Sequence, residues 1–378
     1  MAGTYGGWLI NFRSPQAGGG RATIERMSKT RANATASEIW PQPRTRTYWP
    51  SVLGGLMLVI GLVLFFKGDE IQLAWSQAGV GPFKAAGNPM KADRAYGYLK
   101  DVCAIGPRIS ATEGMHKQQA LLKEHFEKLG GKVALQEFDA RHPQTGATVK
   151  LANQIVEWHP DRKDRILLCC HYDTRPFPDR DPDVTRRKAP FIGANDGGSG
   201  VALLMELGHH MAGLRTKYGV DFVFFDGEEL VYDDEVRRDP YFLGSEHFAR
   251  EYVAQPPGHK YKWGVLFDMV GDKQLLLYRE VNSMAWTDTR PLVLDIWKTA
   301  GSLGVREFVN VTKHEVRDDH LALRNIGKIP TCDIIDFEYP TARGPNYWHT
   351  TKDVPENCSG ESLAKVGYVI HEWLQRLK

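Results

Sequence analysis

From residue 92 onward the chain alternates short apolar runs with stretches of helical spacing. The runs 132–138, 166–170, 220–225, 263–270 and 331–335 are short and apolar, and they predict strands. Tyr96, Leu99 and Val102 recur at helical intervals over 92–103, where Gly106-Pro107 stops them. Leu121, Leu122, Phe126 and Leu129 mark one side of a stronger helix over 115–129, closed by Gly130-Gly131. Further helices are predicted at 200–211 and 290–301. Such alternation predicts one α/β domain, its central sheet mostly parallel and covered by helices on both faces. Ligands of such sheets bind beyond the carboxyl ends of the strands, so the polar residues after each run are the ones that matter. No internal repeat is present.

A different pattern precedes this domain. Residues 50–66, PSVLGGLMLVIGLVLFF, are uncharged and are followed by Lys67, Asp69 and Glu70. At 1.5 Å per residue the run just spans a hydrocarbon core of roughly 30 Å, with Tyr48 and Trp49 as an interfacial anchor. The alternatives are a buried helix and a cleaved signal peptide, the second weakened by a long leader and the lack of a good Ala-x-Ala site.

Charge sharpens this division. The formal total is only +2, from 48 Lys and Arg against 46 Asp and Glu, which argues against a protein that holds nucleic acid through a general basic field. Residues 1–49 carry seven Arg or Lys against Glu25 and Glu38, a balance of +5, which leaves −3 for the rest. The expected organisation is a disordered basic cytoplasmic leader at 1–49, a transmembrane signal anchor at 50–67, a linker at 68–90 and a catalytic domain at 91–378. That domain would lie outside the inner membrane, periplasmic or extracellular. A start at Met27 or Met57 is another account of the leader. The 25% charged and 42% apolar residues exclude a wholly disordered or polytopic chain, and five cysteines make no disulfide scaffold.

Metal-ligand residue types follow the runs. His171-Tyr172-Asp173 follows 166–170, Asp196 stands before Gly197-Gly198-Ser199-Gly200, and Asp226-Gly227-Glu228-Glu229 follows 220–225. Asp268 falls inside the next run, and Trp348-His349-Thr350 follows a loop rich in Pro and Gly. Imidazole and carboxylate are zinc ligands, and one carboxylate can bridge two metals. Taken singly, each reads as readily as a solvated acid, a cap or turn chemistry. Together, at successive strand ends of one sheet, they point to a metal site.

The order HYD, GANDGGSG, DGEE, FDMVG and WHT resembles the zinc aminopeptidase superfamily with co-catalytic metals, and within it the zinc-dependent glutaminyl cyclases of animals and their bacterial relatives. The resemblance covers about 92–378 and implies a central mixed sheet flanked by helices. The long stretch between Glu229 and Gly244-Ser245, the Asp318-Asp319-His320 triplet, Trp348 before His349 and CHYDTRPFPDRDP are similar to cyclases. GANDGGSG is shared with aminopeptidases, and the disulfide beside the metal in animal cyclases has no counterpart: Cys170 lacks a cysteine partner near Asp196.

The resemblance implies roles residue by residue. Asp196, Glu229 and His349 would bind one zinc, Glu228 would be the general acid/base, Asp268 and Asp318 a proton-sharing acidic pair, and Trp348 a wall of the glutamine pocket. The implied reaction is cyclisation of amino-terminal glutamine on peptides or proteins, with ammonia released. The alternative is a dizinc aminopeptidase in which His171 and Asp268 bind a second zinc, and a more remote one is a non-catalytic ectodomain. The segment 338–346 is expected to shape a pocket wall, the charged loop around Asp179 to Lys188 to be solvated surface, and Cys169 and Cys332 to be buried thiols.

Overall fold

The computed structural model describes residues 77–377 apart from 234, 235, 237 and 343, together with Met57, Leu73 and Ala74. The chain divides into two units, Met1–Gly61 and Leu62–Lys378. Among the described residues no helix is long and apolar enough to cross a membrane, and the apolar run 50–66 lies outside them apart from Met57.

Within the second unit the apolar runs become strands close to the expected places. They are β1 (Lys132–Arg141), β2 (Thr148–Trp158), β3 (Asp164–His171), β4 (Gly219–Phe225), β5 (Lys260–Asp268), β6 (Leu277–Arg279), β7 (Phe308–Thr312) and β8 (Thr331–Ile335). Six form one mixed sheet in the order β1-β2-β4-β3-β5-β8, with β2 antiparallel to β1 and β4 and the remaining neighbours parallel. β6 and β7 make a separate parallel pair. Every residue of β4 and β8 is buried, as expected of strands covered on both faces.

Helices α1 (Ala92–Ala104), α2 (Glu113–Lys128), α3 (Gly198–Met211), α4 (Leu243–Ala254), α5 (Val281–Ala285), α6 (Arg290–Leu303), α7 (Asp319–Asn325) and α8 (Gly360–Arg376) supply the cover. α3 is buried over almost its whole length beneath α1 and α8. The main core joins Leu203, Leu207, Phe222, Phe224, Val369 and Trp373, and a smaller cluster on the other face gathers Phe225, Phe248, Tyr261 and Leu323.

The differences from expectation have physical causes. β2 escapes a search for apolar runs because Asn153 and Gln154 interrupt it, yet both are fully buried. The Asn153 amide donates to Gly244 O at 2.8 Å, and its oxygen accepts from the Asp226 N–H at 3.1 Å, so it ties β2 to the loop after β4. The run 263–270 ends as a strand at Asp268, because Met269 adopts φ +46° and turns the chain. All five cysteines are free and buried.

Candidate metal centre and active site

The carboxyl ends of β3, β4 and β5 converge on one acidic cavity, and α3 starts beside them. Gly197, the N-cap of α3, adopts φ +80°, and a Cβ there would lie 2.6 Å from Asp173 O and 3.0 Å from His171 Cε1. Only glycine lets the helix start this close to the end of β3. Asp196, just before it, is thereby set between two histidines. Its Oδ1 is 3.2 Å from His171 Nε2 and its Oδ2 is 3.4 Å from His349 Nε2.

Two groups of three ligand atoms result. Asp196, Glu229 and His349 form one, all buried and with ligand atoms within 4.8 Å of one another; Glu229 Oε1 is 2.8 Å from His349 Nε2. His171, Asp196 and Asp268 form the other, with Asp268 Oδ1 at 3.2 Å from His171 Nε2. Ligand atoms about 2.0–2.1 Å from a tetrahedral zinc lie about 3.4 Å apart, so these spacings suit the metal. The buried His349 Nε2, Asp196 Oδ2 and Glu229 Oε2 have no aligned hydrogen bond, which leaves their lone pairs for a cation. The residues present therefore fit zinc.

A surrounding set of groups holds these atoms. Asp173, fully buried, accepts the backbone N–H groups of Glu228 and Glu229 at 3.2 and 2.9 Å. Asp353 accepts those of Asn195 and Asp196 at 2.7 and 3.1 Å. Arg175 donates to Glu229 Oε1 at 3.2 Å and clamps Asp179 at 2.9 Å, while Asp179 faces His349 Nδ1 at 3.6 Å. A metal-binding histidine with a carboxylate behind its second nitrogen is a recurring arrangement that orients the ring. The charged loop at 179–188 is thus only partly solvated surface. Asp181 also accepts from the backbone and hydroxyl of Thr351 at 2.9 and 2.6 Å, fastening the His349 segment.

Glu228, Asp268 and Asp318 share the floor of a cavity of about 290 Å³ with Asp196 and Glu229. Its walls are Trp348, Phe337, Ile335, Val316, Tyr241 and Phe242. The segment 338–346 itself does not line it, and the flanking Phe337 and Trp348 do, their rings 5.4 Å apart. Burial, with Glu229, Asp318 and Asp319 nearby, pushes Glu228 well above the usual carboxylate range against the opposing pull of His171. Burial, Asp268 and Asp319 do the same to Asp318. Asp268 is raised by burial, opposed by His171. Asp196 moves the other way: burial would raise it, but hydrogen bonding to His171 and His349 holds it below its ordinary range. Burial works against charge on His349, yet Glu229 and Asp196 carry it up to about 8. The cavity therefore combines ionised ligand groups with carboxyls that retain protons near neutrality, a pairing suited to acid-base chemistry.

All eight residues singled out from the sequence meet here. Asp173, Arg175 and Asp353 were not assigned roles from the sequence. Asp173 lies inside HYD, and Arg175 directly follows it, whereas nothing near Asp353 marks it, because it acts through the backbone of residues far away in the chain.

Comparison with known proteins bears on this site. The model of Peptidase family M28 matches residues 153–374. The glutaminyl cyclase of Fimbriiglobus ruber superposes with a TM-score of 0.72 at 42% identity, covering 77% of this chain and 96% of that one. A Zn-dependent exopeptidase from Parabacteroides distasonis gives a TM-score of 0.69 at 31% identity, covering 79% and 99%. Among curated proteins, the glutaminyl-peptide cyclotransferase of Gloydius blomhoffii is 24% identical over 248 residues, 58% of this chain and 63% of that protein. The chain thus spans just under two thirds of the length of that relative.

Proposed function

This chain belongs to peptidase family M28, and within that family we propose that it is a zinc-dependent glutaminyl-peptide cyclotransferase, which converts amino-terminal glutamine to pyroglutamate with release of ammonia. The observation that carries the reading is the meeting of Glu228, Asp268 and Asp318 on one enclosed floor beside Asp196, Glu229 and His349. The likeness to glutaminyl cyclases supports it.

Asp196, Glu229 and His349 would hold the zinc. When bound, zinc supplies a Lewis acid for the γ-carboxamide oxygen of the substrate. Glu228 accepts a proton from the α-amine as its nitrogen bonds to the γ-carbon, then passes it to the departing amide nitrogen, so the C–N bond breaks and ammonia leaves. A carboxyl with a raised pKa can both take and return that proton. Asp268 and Asp318 resist joint ionisation, so one of them keeps a proton and can donate a hydrogen bond to the leaving amide. Trp348 and Phe337 form an apolar wall against which the glutamine side chain folds back. Nucleophile and electrophile belong to one molecule, so positioning takes the place of an activated water.

A second reading has its own support. The cluster His171, Asp196 and Asp268 has the spacing of a second metal site, as a dizinc aminopeptidase needs. Parallel incubations with a glutamine-initiated peptide and an aminoacyl chromogenic amide separate the two. Ammonia from the peptide and no cleavage of the amide is expected; free amino acid without ammonia would overturn the cyclase reading.

We also propose that 50–67 anchors the protein in the inner membrane, with the leader cytoplasmic and the catalytic domain beyond the membrane. The uncharged run and the +5 leader support this. Retention of full-length protein in carbonate-washed membranes is expected, and its release would contradict the anchor.

A further inference from the structure

The cyclase reading fixes where the first residue of a substrate lies, and the inference drawn next rests on that reading. With the carboxamide at the zinc ligands and the amine at Glu228, the α-carbonyl must lead outward past the cavity mouth. The second residue of the peptide therefore meets the rim. That rim carries three charged side chains, Arg180, Arg317 and Glu315.

Arg180 is held in place on two sides. Its guanidinium carbon lies 4.4 Å from the centre of the Trp348 ring, and its backbone N–H donates to His349 O at 3.1 Å. Arg317 sits between Val316 and Asp318, both buried, and the Val316 N–H donates to Glu280 Oε1 at 3.2 Å. The backbone under Arg317 is thus anchored while its side chain is exposed. Among the described residues Arg317 forms no ion pair. Two guanidinium groups against one carboxylate leave the mouth net positive, above a floor whose acids would be largely offset by the metal.

We propose that the mouth selects glutaminyl peptides whose second residue is acidic, with Arg317 as the main determinant and Arg180 as its partner across the opening. A carboxylate at the second position is drawn to both arginines, and an ammonium is repelled by both. All three charges are exposed, so the preference is modest, about fivefold in kcat/KM for Gln-Glu over Gln-Lys peptides. It lies in KM, because the contact is the same in ground and transition states. It shrinks toward unity as ionic strength rises to about 0.5 M.

The test uses full-length protein and three peptides that differ only in Glu, Ala or Lys after the glutamine, with glutamine anilide as a reference lacking a second residue. Ammonia release gives kcat and KM for the wild type, Arg317→Lys and Arg317→Glu. The expected order is Glu, Ala, Lys, retained in Arg317→Lys and levelled or reversed in Arg317→Glu. Each ratio is taken within one variant, so a general loss of activity cancels. Turnover of all three peptides at equal kcat/KM overturns the inference alone. An order unchanged in Arg317→Glu overturns it too, and absence of ammonia from every substrate overturns the cyclase reading together with it.

Discussion

One carboxylate oxygen of Asp173 accepts the backbone N–H of Glu229 at 2.9 Å. Its other oxygen takes the neighbouring N–H of Glu228 at 3.2 Å, and Ser110 Oγ donates at 3.2 Å to the oxygen that Glu229 uses. The turn after β4 must aim one glutamate at the metal ligands and its neighbour at the substrate. A buried carboxylate gripping both amides holds those two directions apart.

Replacing Asp173 with Ala leaves two buried N–H groups without acceptors, each costing about 1–3 kcal/mol. The variant is expected to melt well below the wild type and to bind less zinc, read by thermal denaturation and metal analysis of one preparation. Unchanged melting and full zinc content would contradict the bracing role.

Glu228→Gln keeps the shape of the side chain and removes the base. Proton transfer by a positioned group contributes about 10²–10⁴-fold, so kcat should fall by that order while zinc content stays the same. Because burial and the neighbouring acids raise Glu228, its base form appears only as pH rises above the usual carboxylate range. The wild-type kcat/KM should therefore climb with pH along an acid limb above about pH 5. Retained turnover in the variant would refute the assignment.

Trp348 packs against Phe337 at 5.4 Å and under Arg180 at 4.4 Å. Trp348→Ala should raise KM for glutaminyl peptides about tenfold, equivalent to about 1.4 kcal/mol of lost contact, with a smaller change in kcat. Steady-state kinetics on one peptide decides, and an unchanged KM would place the glutamine side chain elsewhere.

Away from the site, burial and the adjacent His371 push His210 down to about 4, with Arg94 and His209 adding to this and Glu206 opposing. The rings of His210 and His371 are 5.5 Å apart. The unfolded chain binds a proton at this residue below about pH 6.5, and the folded chain does so only near 4, so acidification favours unfolding across that window. Stability from the neutral imidazole is present above pH 6.5 and lost as pH falls toward 4. His210→Asn should flatten the decline in melting temperature between pH 6.5 and 4.5 relative to wild type, and parallel curves would contradict this.

Legibility in the sequence followed chemistry more closely than architecture. β3, β4, β5 and β8 stood out because strands buried on both faces read as continuous apolar runs, and the ligands stood out because each follows such a run. β2 did not, since Asn153 and Gln154 are polar residues buried for their hydrogen bonds. α8 carries Leu363, Val366, Ile370 and Trp373 at helical spacing, and all are buried, so its pattern was present and unread. Asp353 was invisible for a different reason: its contacts with the Asn195 and Asp196 amides span more than 150 residues of chain. A motif shows which side chains do chemistry, and only the fold shows which side chains aim them.

The central claim is that the substrate's own amine closes the ring and no water enters the product. Turnover of a glutamine-initiated peptide in water enriched in heavy oxygen, followed by mass spectrometry, tests this most directly. The account predicts a product lighter by one ammonia, with the full peptide sequence intact and no heavy oxygen incorporated. A peptide shortened by its first residue, with heavy oxygen in the released carboxylate, would contradict it.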